Sequence, residues 1–212
     1  MNAFIFDLDG VIINSEPEHE AVFYELFAEL GHGEDHGIDF DAFYGTSDLT
    51  VWKAFLQRHP QTVDLNALQT RKEDRFIERA RQTRPFFEGA LSLIQHLPSS
   101  LRLAVASGSN RRIIREVLAL ADLTHQFEAI ASAEEVEHGK PRPDVFLLAA
   151  QRLGVDPSEC YVLEDSVNGV TAANAAGMRS IAIANTFAVD QLGHAWKQVT
   201  DYSEIAPLLD LP

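Results

Sequence analysis

An α/β fold is expected, a parallel sheet covered by helices on both faces and carrying a helical insert, and three observations predict it. From residue 85 onward, apolar strand-like runs alternate with helical stretches. Those runs, "LRLAVAS", "EAIAS", "CYVLED" and "SIAIAN", are apolar throughout, as strands buried on both faces are. Between a first apolar run near the amino terminus and the next one, residues 15–84 read as helices. The expected division is therefore 1–14 with 85–212 as the sheet domain and 15–84 as an insert placed straight after strand one.

Taken in order, Ala3 to Phe6 is the first strand. The first helix begins at "SEPEHE", where Ser15 or Glu16 can cap and Pro17 suits the first turn. Val22, Phe23, Leu26, Phe27 and Leu30 recur at helical spacing, and "GHG" at 31–33 stops the run. Shorter helical runs are expected around Asp39 to Tyr44 and Asp48 to His59, and a longer one around Asp64 to Thr83. The return to the sheet domain is expected at "TRPFFEG".

With 46% hydrophobic residues in 212, the chain can bury a full core. Its 32 acidic against 17 basic residues give a net charge of −15, which repels nucleic acid and anionic membranes. An anionic substrate then needs a local cationic site. No stretch approaches the roughly 18 apolar residues of a membrane span, and "MNAFIFDLDG" has no basic segment followed by an apolar one, so a cytoplasmic protein is expected. The single cysteine, Cys160, lies in the apolar run "CYVL" and reads as a small buried side chain in a reducing compartment.

The first strand ends in "DLDG". In an extended chain Asp7 and Asp9 point the same way, and two carboxylates ~4 Å apart repel by about 4 kcal/mol at an effective dielectric near 20. Either one takes a proton or a cation sits with them, and Mg2+, which favours hard oxygen ligands and substrate phosphates, suits the pair. By itself "DLD" reads as two solvated acids in a turn eased by Gly10. Position changes the weighting, because ligands bind beyond the carboxyl ends of strands in open parallel sheets. At a second such end, Ser107, Gly108 and Ser109 precede a helix and can cradle phosphate with a hydroxyl and free N–H groups; alone they read as a loop with an N-cap. At a third, Glu164 and Asp165 can complete a metal shell, while Asp165 or Ser166 can equally cap the next helix. "HGKPRPD" places Lys140 in a loop restricted by Pro141 and Pro143, where one fixed cation can balance carboxylates and hold phosphate; a lone lysine otherwise reads as surface charge.

Acid pair, Ser, Lys and acid pair in this order resemble the four motifs of the haloacid dehalogenase superfamily: "DLDG", Ser107, Lys140 and "EDS". The resemblance covers the whole chain. Within the superfamily, the insert after the first motif together with "GKPRPD" and "LEDSVNG" is similar to the beta-phosphoglucomutase-like branch of phosphatases and sugar-phosphate mutases. The resemblance implies a Rossmann-like core with a helical cap at 15–84. It implies that Asp7 attacks phosphorus to form an aspartyl phosphate and that Asp9 protonates the leaving oxygen and then activates water. It further implies that Mg2+ is held by the Asp7 carboxylate, the Asp9 carbonyl and Asp165 with Glu164 close by, and that Ser107, Gly108 and Lys140 bind the phosphoryl group. Asp9 argues against dehalogenation, because a halide leaving group needs no proton whereas an alkoxide does.

The expected activity is thus a Mg2+-dependent phosphatase acting on a small phosphorylated metabolite, a sugar phosphate above all, in a monomer or small homo-oligomer; the alternative is a sugar-phosphate mutase. His19, twelve residues after Asp7, matches a mutase histidine shared by many sugar phosphatases, and also falls in line with Phe23, Leu26 and Leu30 as a packing residue. In "YGTSDLT" the mutase arginine that grips a second phosphate is matched by Asp48, of the opposite charge, which favours the phosphatase. Asn14 replaces the aspartate usual after the first motif. Arg71, Arg75 and Arg79 recur every four residues and, with Glu73, Asp74 and Glu78 interleaved, read as a solvated face; facing a cleft they would steer phosphate inward.

Overall fold

The computed structural model describes residues 1–43 and 47–209. Its sheet has six parallel strands in the order β3-β2-β1-β4-β5-β6: β1 Ala3–Phe6, β2 Arg102–Ser107, β3 Ala129–Ser132, β4 Cys160–Glu164, β5 Arg179–Ile183 and β6 Lys197–Val199. The sixth strand has no counterpart in the sequence reading. It is an edge strand of three residues, "KQV", with Lys197 and Gln198 exposed, so no apolar run marks it.

Two compact units account for the described chain, Met1–Asn14 with Phe86–Pro212 and Ser15–Pro85. In the first, β1 lies between β2 and β4, with Phe6 level with Val105 on one side and Leu163 on the other. Chain order reverses at this strand, which is where a parallel sheet opens a ligand crevice at its carboxyl edge. Alternation along β1 serves both faces. Ala3 and Ile5 pack with Ala104, Ala106 and Val162 against the helix Asp144–Leu153 through Val145, Phe146 and Ala149. Phe4 and Phe6 take the other face, with Tyr161 5.9 Å from Phe4 and Phe127 edge-on to Phe6 at 5.8 Å. Cys160 is buried in this core, and burial pushes its thiol up to about 11.

Among the described residues the second unit holds three α-helices, α1 Glu16–Glu29, α2 Asp48–Arg58 and α3 Leu65–Thr83. Ser15 occupies the N-cap position of α1 without a side-chain cap bond, whereas Asp64 caps α3 by accepting from the amides of Asn66 and Ala67. The run expected from Asp39 to Tyr44 is one short 3-10 turn, Phe40–Ala42; Tyr44 and the Gly45 and Thr46 that follow it lie outside the described residues. Phe23, Phe27, Trp52 and Phe55 form the aromatic centre, Phe27 stacking on Phe55 at 4.1 Å. The arginine stripe of α3 is answered from α1: Arg71 and Arg75 pair with Glu29, and Arg79 pairs with Glu18 at 2.8 Å and Glu25 at 3.3 Å. It is a half-exposed ion-pair ladder between two helices, not a free basic face. Among the described residues no helix is long and apolar enough to cross a membrane.

Candidate active site

The carboxyl ends of β1 and β4 bring Asp7, Glu164 and Asp165 together. Strand register carries one residue past β1, where the Asp7 amide donates to the Leu163 carbonyl at 3.0 Å and sets its side chain beside Glu164. All three acids are buried, and one oxygen of each lies within 4.8 Å of the others. Lys140 reaches them from the loop before the helix Asp144–Leu153, donating to Asp7 at 2.8 Å and to Glu164, with its ammonium 4.9 Å from the centre of the Phe146 ring.

Glu164 divides its oxygens. One accepts from Lys140; the other accepts from the amides of Asp165 and Ser166 at 3.0 and 2.9 Å and from the Ser166 hydroxyl at 2.9 Å. Ser166 in turn accepts from the Gly169 amide at 3.0 Å and caps the following helix, Val167–Ala175. Capping therefore falls to Ser166, and the Asp165 side chain is left for the acid cluster. Two glycines make room for these acids. A Cβ on Gly10, whose φ of +72° already favours glycine, would lie 1.8 Å from an Asp165 oxygen, and one on Gly169 would lie 1.8 Å from the Glu164 carboxyl carbon.

Three carboxylates against one ammonium leave a buried excess of negative charge. Burial raises Asp7 to about 8 against the opposing pull of Lys140, with Glu164 and Asp9 adding to the rise. Asp165 is raised well above the usual carboxylate range by burial and then by Glu164 and Asp7. Burial disfavours the Lys140 charge too, but Asp7 and Glu164 outweigh it and hold the amine above its ordinary range. An all-oxygen set with surplus charge suits a hard divalent cation.

The Asp9 carboxylate, near enough to Asp7 to add to its rise, is held by two serines past β2. It accepts from the Ser109 hydroxyl at 2.7 Å and the Ser107 hydroxyl at 3.2 Å. Ser107, fully buried, also accepts from the Ser109 amide at 2.9 Å, and Ser132 donates to the Ser109 carbonyl at 2.8 Å. Asn110, not a serine, caps the helix Arg111–Leu120. Gly108 is not demanded by packing, since a Cβ there would meet nothing within 4 Å. Ser109 as a partner of Asp9 is not among the sequence expectations, which give Ser107, Gly108 and Ser109 a phosphate cradle or a capped loop. Thr186, hydrogen-bonded to Asp165, carries no sequence signal.

His19 belongs to the helical unit. Its ring stacks on Phe76 at 4.1 Å and meets the Lys72 amine, which is itself fully buried, donates to both oxygens of Asp48 at 2.7 Å and lies over the rings of Phe23 and Phe76. Gln69 donates to Asp48 at 3.0 Å. Burial opposes the Asp48 charge, but Lys72 and His19 prevail and hold its carboxyl below the usual range. Lys72 was missed, although it interrupts the buried stripe Leu68, Phe76, Ala80 at the four-residue spacing of one helix face.

Comparison with known proteins agrees with this geometry. The chain is 34% identical over 187 residues to fructose-1-phosphate phosphatase YqaB of Escherichia coli, covering 84% of this chain and 94% of that one. It is 36% identical over 185 residues to hexitol phosphatase B of the same organism, covering 85% and 82%. The structure of beta-phosphoglucomutase from Clostridium difficile superposes with a TM-score of 0.81 at 25% identity, covering 97% of this chain and 93% of that one. Residues 1–177 match the haloacid dehalogenase-like hydrolases, and the chain belongs to that family.

Proposed function

We propose that the protein is a Mg2+-dependent phosphatase that hydrolyses a sugar phosphate or a similarly small phosphorylated metabolite through an aspartyl-phosphate intermediate. The observation that carries this reading is the buried cluster of Asp7, Glu164 and Asp165 with Lys140 at the carboxyl edge of the central strands. In the proposed reaction an Asp7 oxygen attacks phosphorus, the P–O bond to the leaving group breaks, and Asp9 gives its proton to the departing alkoxide. Asp9 then takes a proton from water as that water attacks the aspartyl phosphate, which frees phosphate and restores Asp7.

Lys140 and the Ser107–Gly108 turn bind phosphoryl oxygens in this scheme. Asp7, Asp165 and the Asp9 carbonyl would hold the cation, with Glu164 beside them orienting Lys140. Bound there, Mg2+ would offset the charge that grows on the phosphoryl group. The serine hydroxyls at 2.7 and 3.2 Å from Asp9 hold its carboxyl in place beside the nucleophile, as a proton carrier for the leaving group requires. The helical unit is proposed as the cap, and the names of the two Escherichia coli relatives support a sugar or hexitol phosphate as substrate.

Phosphate release from fructose 1-phosphate, hexitol phosphates and other phosphorylated metabolites, with Mg2+ and with EDTA, tests this reading in the parent and Asp7→Asn. Metal-dependent release that falls by about 10³-fold or more in the variant is expected. No release by the parent from any of them would overturn it. The likeness to beta-phosphoglucomutase favours one other reading, a sugar-phosphate mutase. Conversion of beta-glucose 1-phosphate to glucose 6-phosphate, primed by a bisphosphate, would establish it.

A further inference from the structure

The turn after Asp9 is anchored from two remote segments of the sheet unit. Within it, the Leu8 carbonyl accepts from the amides of Val11, Ile12 and Ile13 at 3.3, 2.8 and 3.1 Å, which leaves the Gly10 and Val11 carbonyls without a share in that network. Both are met from elsewhere. Asn185, two residues past β5, donates from Nδ2 to the Gly10 carbonyl at 2.7 Å and to the Tyr202 hydroxyl at 2.7 Å. The Tyr202 hydroxyl donates to the Val11 carbonyl at 2.5 Å.

Both amide hydrogens of Asn185 and the single hydroxyl hydrogen of Tyr202 are thereby committed, each to one acceptor. The Tyr202 ring is held in turn. It lies over Gly89, where a Cβ would come within 2.6 Å of it, and its centre is 6.2 Å from that of Phe87. On its other side the same turn abuts Asp165 and Thr186, which fill the space a side chain at Gly10 would occupy. The turn is therefore clamped between an acid of the site and, outside it, a half-buried asparagine backed by a buried tyrosine.

From this clamp we infer that Asn185 and Tyr202 are positioning residues for Asp9, fixing the turn that presents its carbonyl to the cation and its carboxyl to the leaving group. The inference rests on the phosphatase reading above. A tie that merely fastens the carboxyl-terminal segment to the core would be lost with a fall in melting temperature and unchanged turnover per folded molecule. A positioning clamp changes turnover while the protein stays folded.

Tyr202→Phe and Asn185→Ala distinguish the two, read by kcat, KM, Mg2+ affinity from calorimetric titration of the free protein, and thermal unfolding. Expected for Tyr202→Phe are a fall in kcat of about tenfold or more, KM within about threefold of the parent, and Mg2+ binding weaker by about fivefold, all well below the melting temperature. Asn185→Ala, which frees the Gly10 carbonyl, should act in the same direction and decides the matter if Tyr202→Phe does not fold. Folded variants whose kcat and Mg2+ affinity both stay within about twofold of the parent would overturn the inference. If the parent turns over no phosphate ester, the phosphatase reading fails, and the Mg2+ titration alone then decides the clamp.

Discussion

Lys140 and Lys72 are both buried ammoniums held by carboxylates, one in the sheet unit and one in the helical unit, and the difference lies in the count of acids around them. Among the described residues Lys72 meets one carboxylate, Asp48, which also accepts from Gln69, together with the His19 ring. Lys140 touches two, Asp7 and Glu164, and Asp165 lies against both of those. The helical pair is balanced within itself, so its acid is held ionised more firmly than a free aspartate. The sheet cluster is not balanced, and Asp7 and Asp165 are pushed toward the protonated state. Similar side chains thus build a balanced fastening in one unit and a surplus of buried negative charge in the other.

Breaking the balanced pair should give the largest effect. Lys72→Met leaves Asp48, a half-buried acid, without its cation and should cost about 3 kcal/mol in urea unfolding, with or without Mg2+, while removing Asp48 as well should recover most of the loss. A loss under about 1 kcal/mol would mean that the pair is not a fastening.

The unbalanced cluster should instead respond to the ion. Mg2+ at about a hundred times its dissociation constant should stabilise the parent by about 2.7 kcal/mol, and Asp165→Asn should abolish most of that gain. The pH dependence has a definite sign. Asp7 keeps its proton in the folded state up to about 8, whereas the unfolded chain releases it near the ordinary carboxylate value, so stability without metal should fall as pH rises through that window. The gain from Mg2+ should grow over the same interval. A gain independent of pH would sever the link between the raised acids and the ion.

A smaller effect sharpens the comparison from the helical side. His36 is buried, its Nδ1 accepts from the Ile38 amide at 3.0 Å, and its ring packs against Tyr24, Phe27 and Phe40. Burial, then His59 and Arg58, holds it below the ordinary histidine value. As pH falls through about 6.5, the unfolded chain takes up a proton that the folded one refuses, so stability should drop. His36→Gln should flatten that slope in unfolding curves measured between pH 7.5 and pH 5, roughly the range in which histidine titrates.

The acids and lysine of the cluster were legible because strand ends are. Continuous apolar runs end at residues 6 and 163, and the charged residues just past them must emerge at one edge of a parallel sheet. Lys140 was legible only through its company with these acids in one order along the chain. What was not legible depends on side-chain direction or on distant register. The bonds of the Asp9 carboxylate to Ser107 and Ser109 depend on how β1 and β2 come into register, which no local pattern announces. Thr186, Asn185 and Tyr202 follow strands whose neighbours are fixed only once the sheet is assembled, and β6 is too short and polar to announce itself. Lys72 could have been found, since a charged residue at a buried helical position demands a partner.

The chain leaves the sheet unit after Asn14 and re-enters at Phe86, and the two points touch: Ile13 bridges to Phe86, and the Phe87 amide donates to the Ile12 carbonyl at 3.1 Å. The sheet unit closes this junction with its own backbone bonds, much as a hairpin does at its open end. What is spliced between those points can lengthen, shorten or be exchanged with little entropic cost to the core, because closure grows only slowly with loop length. Recombination could therefore replace the inserted helices while leaving the charge arrangement of Asp7, Lys140, Glu164 and Asp165 undisturbed.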